Sequence, residues 1–170
     1  MAKSAVLIIA QKNFRDEELF ETRQVLLSRK ITVAVAAPTR HAAIGAAGGD
    51  VEPDLAIREV EVGSFDALVF IGGAGSHDYF QDPIARKLIH EFTKARKIVA
   101  GICDASSILA NAGVLLGKRA TGFHTQEKNL VSRGAEYTGM PVEVDGSIVT
   151  GRDRQAAQQF GEQIAELLDR

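Results

Sequence analysis

Lys97-Ile98-Val99-Ala100-Gly101-Ile102-Cys103-Asp104-Ala105-Ser106-Ser107-Ile108-Leu109-Ala110 holds the only cysteine of the chain, at the point where a strand should turn into a helix. Ile98 to Ile102 is a continuous apolar run, the mark of a strand covered on both faces. Small residues sit at the bend and helix formers follow it. This is the layout of a nucleophile elbow, with Cys in the place more often held by Ser. A thiol there faces the amide dipoles of a helix N-terminus, which stabilise thiolate. The competing reading is a small apolar filler, because free Cys is among the most buried residue types.

The segments on either side follow the same plan. Val6-Leu7-Ile8-Ile9, Ile31 to Ala36 and Ala67 to Ile71 read as further buried strands. Asp16 to Arg29 reads as a helix, with Leu19, Phe20, Leu26 and Leu27 at helical spacing and acids in its first turn. Asp82-Pro83 should open another helix, Asp as N-cap and Pro at the first helical position. The helix after Cys103 should end near Asn111-Ala112-Gly113. A short strand near Ala120-Thr121 and a helix from Thr125 to Arg133 come next. Val142 to Val144 and Ile148 to Thr150 flank Asp145-Gly146 as a hairpin with a type I′ turn. Asp153 to Leu168 closes the chain as a helix. The Ala- and Gly-rich stretch Ala42 to Gly49 reads as a surface turn or hairpin, and Ala42 to Val51 could form two short strands. Buried strands alternating with amphipathic helices predict an α/β fold, a three-layer sandwich around a mostly parallel central sheet.

The 170 residues form one expected domain, 1–170, with 45% apolar and 25% charged residues. A net charge of −2 gives no electrostatic case for nucleic acid or an anionic membrane. The apolar run Ala5 to Ala10 is too short for a signal segment or a membrane span, so a cytoplasmic location is expected. One cysteine excludes an intramolecular disulfide and a Cys-rich zinc site, and no ligand spacing suggests any other metal.

Ligands in such folds bind beyond the carboxyl ends of the strands. Three loops therefore matter: Gln11 to Glu18, Gly72 to His77, and the elbow. They do not suit a phosphate. There is no Walker loop, Gly73-Ala74-Gly75 is only a fragment of a dinucleotide fingerprint, and Asp16, Glu17 and Glu18 would repel the phosphate of a flavin. No cofactor is expected. A thiol site fits better. Gly72-Gly73 lets backbone amides approach a ligand, the amides of Gly73 and Asp104 can form an oxyanion hole, and a carboxyl from the first loop can reach the thiol. Plain alternatives stand beside each: a tight turn at Gly72-Gly73, and acids that merely favour the helix dipole at Glu17 and Glu18.

Phe14-Arg15-Asp16-Glu17-Glu18-Leu19, Gly72-Gly73, Gly101-Ile102-Cys103, Ile108 to Lys118, Gly134-Ala135-Glu136-Tyr137 and Val144 to Arg152 together resemble the DJ-one/PfpI superfamily over nearly the whole chain. The resemblance implies a flavodoxin-like fold of the class I glutamine amidotransferase type. It places the nucleophile at Cys103 and the thiol-contacting, protonated glutamate at Glu18. It places the oxyanion-hole amides at Gly73 and Asp104. It also implies a homodimer or larger homo-oligomer. Burial beside an anion raises a carboxyl pKa, so a protonated Glu18 is physically reasonable.

Three departures stand out. Peptidase-like members carry His directly after the nucleophile, where this chain has Asp104, which reads as an N-cap. Ile71 replaces the usual Pro before the glycine pair, and Ala105-Ser106 replaces a Gly-Pro pair. Of His41, His77, His90 and His124, His77 could overhang the elbow, and His124 is the first candidate to complete the catalytic group. Spacing to Leu130 puts Phe123 at the pocket position, with His124 one residue off. Both histidines also read simply as loop residues. The resemblance implies cysteine chemistry of the glyoxalase or deglycase type on a small reactive carbonyl. The alternatives are a redox sensor or stress-response protein meeting an oxidant, and last an intracellular cysteine peptidase.

Overall fold

In the computed structural model, which describes residues 2–170, the buried apolar runs become the centre of one sheet. The strands are β1 (Ser4–Ile8), β2 (Lys12–Phe14), β3 (Thr32–Ala37), β4 (Ala43–Gly45), β5 (Asp50–Val51), β6 (Leu55–Ala56), β7 (Ala67–Phe70), β8 (Ile98–Ile102), β9 (Arg119–Ala120), β10 (Glu136–Tyr137), β11 (Val142–Asp145) and β12 (Ile148–Gly151). The helices are α1 (Asp16–Ser28), α2 (Pro83–Lys94), α3 (Ser106–Asn111), α4 (Glu127–Ser132) and α5 (Ala157–Leu168). The main sheet has seven strands in the order β11-β12-β8-β7-β1-β3-β6. Every neighbouring pair is parallel except β11 with β12.

Alternate strand residues face opposite layers, as the two-residue period of a strand demands. Ala5, Leu7, Ile9, Val69 and Ile71 pack with Leu19 and Leu26 of α1 and Phe160 and Ile164 of α5. Val6, Ile8, Leu68 and Phe70 pack with Leu88, Ile89 and Phe92 of α2 and Ile108 and Leu109 of α3. The result is the expected three-layer α/β sandwich. No helix among the described residues is long and apolar enough to cross a membrane.

Asp82 caps α2 as read, accepting from the Ala85 N–H at 3.0 Å with Pro83 at the first helical position. The Ala42–Val51 stretch is the antiparallel β4–β5 pair, extended by β2 into a small second sheet. Its composition has a specific cause. The buried carboxylate of Asp16 accepts the N–H groups of Ala47 and Gly49 at 2.8 and 2.7 Å. A Cβ on Gly49 would stand 2.4 Å from that carboxylate. Asp16 is therefore a tether between α1 and the hairpin, beyond the dipole role expected of it. The second hairpin is β11–β12, but its two-residue loop is Gly146-Ser147. Gly146 alone has positive φ, whereas a type I′ turn needs it at both central positions, so the type I′ expectation fails.

Candidate active site

β8 ends at Ile102 in extended backbone, and Cys103 then takes φ 62°. A left-handed conformation is costly for a residue with a Cβ and is retained only where the surroundings over-determine it. Here the bend lifts the side chain out of the strand line, over the carboxyl ends of β7 and β1. Gly72 allows the close approach that follows. A Cβ at Gly72 would lie 2.6 Å from Glu18 Oε1, 2.7 Å from the Ile102 carbonyl and 2.8 Å from Cys103 Cβ. The absent side chain is what lets α1 and the elbow meet.

Glu18 comes from the first turn of α1 and is fully buried. Its Oε1 accepts the Gly72 N–H at 2.9 Å. Its Oε2 has no nitrogen or oxygen partner and faces the Cys103 thiol. Burial raises the Glu18 carboxyl to about 8, partly offset by its bonds to Cys103 and Gly72 and by the nearby charge of Arg15. The carboxyl therefore keeps its proton at neutral pH. Cys103 is 5% exposed. Burial pushes its thiol well above the ordinary range, and the carboxylates of Glu18, once ionised, and Asp104 push the same way. The Asp104 amide, donating to the sulfur, opposes them. This corrects the expectation of a thiolate stabilised by helix dipoles. Desolvation and the two carboxyls work against a thiolate, with one amide donor in its favour.

Asp104 is not an N-cap. The residue at the cap of α3 is Ala105, with no side-chain bond to the helix. Instead Asp104 Oδ2 pairs with His77 Nε2 at 2.7 Å, and the Cys103 thiol points at Oδ1, with Sγ 3.8 Å away. His77 stands in the 3-10 turn Ala74–Tyr79 and stacks on Phe80, ring centres 4.4 Å apart. His124 is placed elsewhere. It lines a separate surface depression with Thr125, Glu127, Lys128 and Val131. The residue beside it, Phe123, lines the Cys103 cavity, and its N–H donates to the Cys103 carbonyl at 3.2 Å. Of the two loop histidines the structure thus brings His77 to the elbow and leaves His124 outside. Gly73 has φ 100° and opens the His77 turn, its carbonyl accepting from Ser76 N and Oγ.

The cavity over Cys103 has a volume of about 330 Å³ and is lined by Arg15, Glu18, Phe123, Asp153, Arg154 and Gln155. Sequence reasoning missed the last three. They follow β12, whose carboxyl end becomes part of the site only because β12 pairs parallel to β8. That pairing is invisible while β12 is read only as half of a hairpin. Arg154 lies 3.6 Å from Glu17, whereas Arg15 has no carboxylate partner within 4 Å among the described residues.

A model of the DJ-1/PfpI family matches residues 3–167. The chain belongs to the DJ-1/PfpI family. A relative from Pyrococcus abyssi named a deglycase is 33% identical, over 86% of this chain and 89% of its own. A relative from Bacillus subtilis named a putative cysteine protease is 32% identical, over 73% of each chain. The crystal structure of a ThiJ/PfpI domain protein from Brachyspira murdochii superposes with a TM-score of 0.96 at 30% identity, covering 99% of this chain and 97% of that one. The two relatives are named for different activities, so the residues around Cys103 must decide the chemistry.

Proposed function

We propose that this DJ-1/PfpI protein is a cysteine-dependent enzyme of the glyoxalase or deglycase type, acting on small 2-oxoaldehydes and their early adducts. The observation that carries the reading is the pairing of a thiol at a left-handed elbow with a buried glutamic acid whose free oxygen faces it. A carboxyl that titrates near 8 can both give and take a proton close to neutral pH, as an isomerisation requires.

The thiol adds to the aldehyde carbon. The S–C bond forms, the carbonyl π pair moves to oxygen, and oxygen gains a proton as sulfur loses one. The amides of Gly73 and Asp104 would hold that oxygen. Glu18, left as a carboxylate once it has protonated that oxygen and the thiol proton has passed to water, takes the proton from the sulfur-bearing carbon and returns it to the neighbouring carbon by way of an enediol, while the hydroxyl proton passes from the first carbon's oxygen to the second's. The product is a thioester of a 2-hydroxy acid, which water hydrolyses. No oxidant or reductant is consumed. Arg15, unpaired beside Glu18, would stabilise negative charge on the enediol.

The test is conversion of methylglyoxal to lactate by the purified protein. Steady turnover that Cys103→Ala abolishes supports the reading, and no turnover above buffer ends it. A second reading is a cysteine redox sensor, favoured by the orphaned Glu18 Oε2 and the Asp104 amide, which together would hold an oxidised sulfur. Mild peroxide leaving Cys103 unmodified, by mass spectrometry, removes it. Peptidase activity ranks last, because Asp104 stands where peptidase-like members carry His. On the same reading the protein works in the cytoplasm as a homodimer or larger homo-oligomer, which light scattering on the purified chain would test.

A further inference from the structure

The Cys103 thiol has a second acid within reach that the chemistry above does not use. Asp104 Oδ1 is 3.8 Å from the sulfur, and Oδ2 is 2.7 Å from His77 Nε2. An unscreened carboxylate at that distance opposes thiolate formation. A cation on its far side cancels that opposition and leaves the carboxylate as an acceptor for the thiol proton.

The turn that carries His77 is built to hold it there. Tyr79 is buried and donates its hydroxyl to the Ile9 carbonyl at 2.7 Å, at the end of β1. Ser76 Oγ, also buried, donates to the Gly73 carbonyl at 2.7 Å. Phe80 stacks on the imidazole. Three separate anchors therefore fix a side chain that is itself 49% exposed, while Asp104 is only 15% exposed.

We infer that His77 is a positioning residue for the Cys103 reaction: it acts through Asp104, as a cation that neutralises this carboxylate beside the thiol. The arrangement replaces the histidine that peptidase-like relatives carry directly after the nucleophile with one delivered from the loop after β7. The other charged groups of this neighbourhood are Asp78 on the same turn, Lys12 on β2, which packs against it, Arg15 after β2, and Glu18 across the thiol. None of these pairs with His77. This role for His77 rests on the reading above only in that Cys103 is the reactive group.

Alkylation by iodoacetamide tests it without any substrate, because Cys103 is the only thiol in the chain. The rate is followed against pH for the wild type, His77→Gln, His77→Lys, Asp104→Asn and the His77→Gln/Asp104→Asn double variant. His77→Gln keeps a donor and loses the charge. It should slow alkylation about three- to tenfold at neutral pH and displace the profile to higher pH, since raising the thiol pKa by about one lowers the thiolate fraction about tenfold. His77→Lys should restore most of the rate. In the Asp104→Asn background His77→Gln should have no further effect. An unchanged rate and profile in His77→Gln, or an equal slowing in both backgrounds, overturns the inference. His77 is exposed enough for its variants to fold, so its profile decides the matter even if Asp104→Asn does not. Failure to turn over methylglyoxal with the alkylation pattern intact would remove the enzyme reading and leave this one standing.

Discussion

Glu18 reaches Cys103 from the first turn of α1 and Asp104 from the elbow itself, and the two carboxyls are held in opposite ways. Glu18 has no exposure, one amide donor and an oxygen with no nitrogen or oxygen partner. Asp104 has a histidine at 2.7 Å and some contact with water. Burial keeps a proton on Glu18 against the nearby charge of Arg15, whereas Asp104 has His77 and solvent beside it. A single sulfur thus sits between a proton donor and a proton acceptor. Chemical type does not distinguish the two acids; their surroundings do.

The two acids should differ most visibly in activity. Glu18→Gln preserves shape and hydrogen bonding and removes proton transfer. Turnover of methylglyoxal should fall by about 100-fold or more, the usual scale for a lost general acid–base. Asp104→Asn, beside His77, should cost less than about tenfold at the same pH. Equal losses in steady-state assays would mean that the two acids share one role.

Stability against pH should separate them next. The folded pKa of Glu18, about 8, lies above the ordinary carboxyl value of 4.5. A raised carboxyl pKa gives a contribution that is fully present below about 4.5 and lost as pH rises through about 8. Stability should therefore decline across that window, by on the order of 5 kcal/mol once Glu18 ionises, and denaturant midpoints should fall with it. Glu18→Gln should flatten the decline, and Asp104→Asn should leave it in place. A wild-type midpoint that holds steady from pH 5 to about 9 would mean that Glu18 is not buried as a neutral acid.

Gly72→Ala tests the junction that brings the buried acid to the sulfur. The new methyl would meet two backbone or Cβ atoms that cannot swing away, Ile102 O and Cys103 Cβ, as well as the Glu18 carboxyl. Overpacking of this kind costs roughly 1–3 kcal/mol, and a lowered thermal midpoint should accompany lost activity. A variant as stable as the wild type would show that the elbow has slack.

The meeting of Glu18 with the sulfur was legible in the residues and the pairing of Asp104 with His77 was not. Continuous apolar runs at β1, β3, β7 and β8 announce a covered parallel sheet, and the carboxyl ends of such strands announce where Glu18, Gly72 and Cys103 must meet. β2 and β6 escaped because two or three residues carry no period. Asp104 looked like a cap because its partner arrives from a 3-10 turn whose path depends on Tyr79 reaching the Ile9 carbonyl. His124 reads as the better candidate than His77 because it follows the strand after the elbow helix, near where the family resemblance implies a pocket-lining His or Tyr. Here a one-residue offset decides, since it puts Phe123 over the cavity and His124 beyond it.

The smallest effect expected is at Arg15, and it bears on how fully Glu18 is isolated. Arg15 precedes α1, lines the cavity and lowers the Glu18 carboxyl through its charge, though by less than burial raises it. Arg15→Met keeps the aliphatic length and removes the cation. If Glu18 titrates in a largely dry environment with one weak electrostatic neighbour, the basic limb of the pH–rate profile should move up by less than about one pH unit. The rate near neutral pH should fall only a few-fold through loss of enediol stabilisation, within the modest range expected of a partly exposed charge. A much larger displacement would make Arg15 the counter-ion of Glu18 and turn the buried acid into a second ion pair. The two acids beside the sulfur would then work by the same principle.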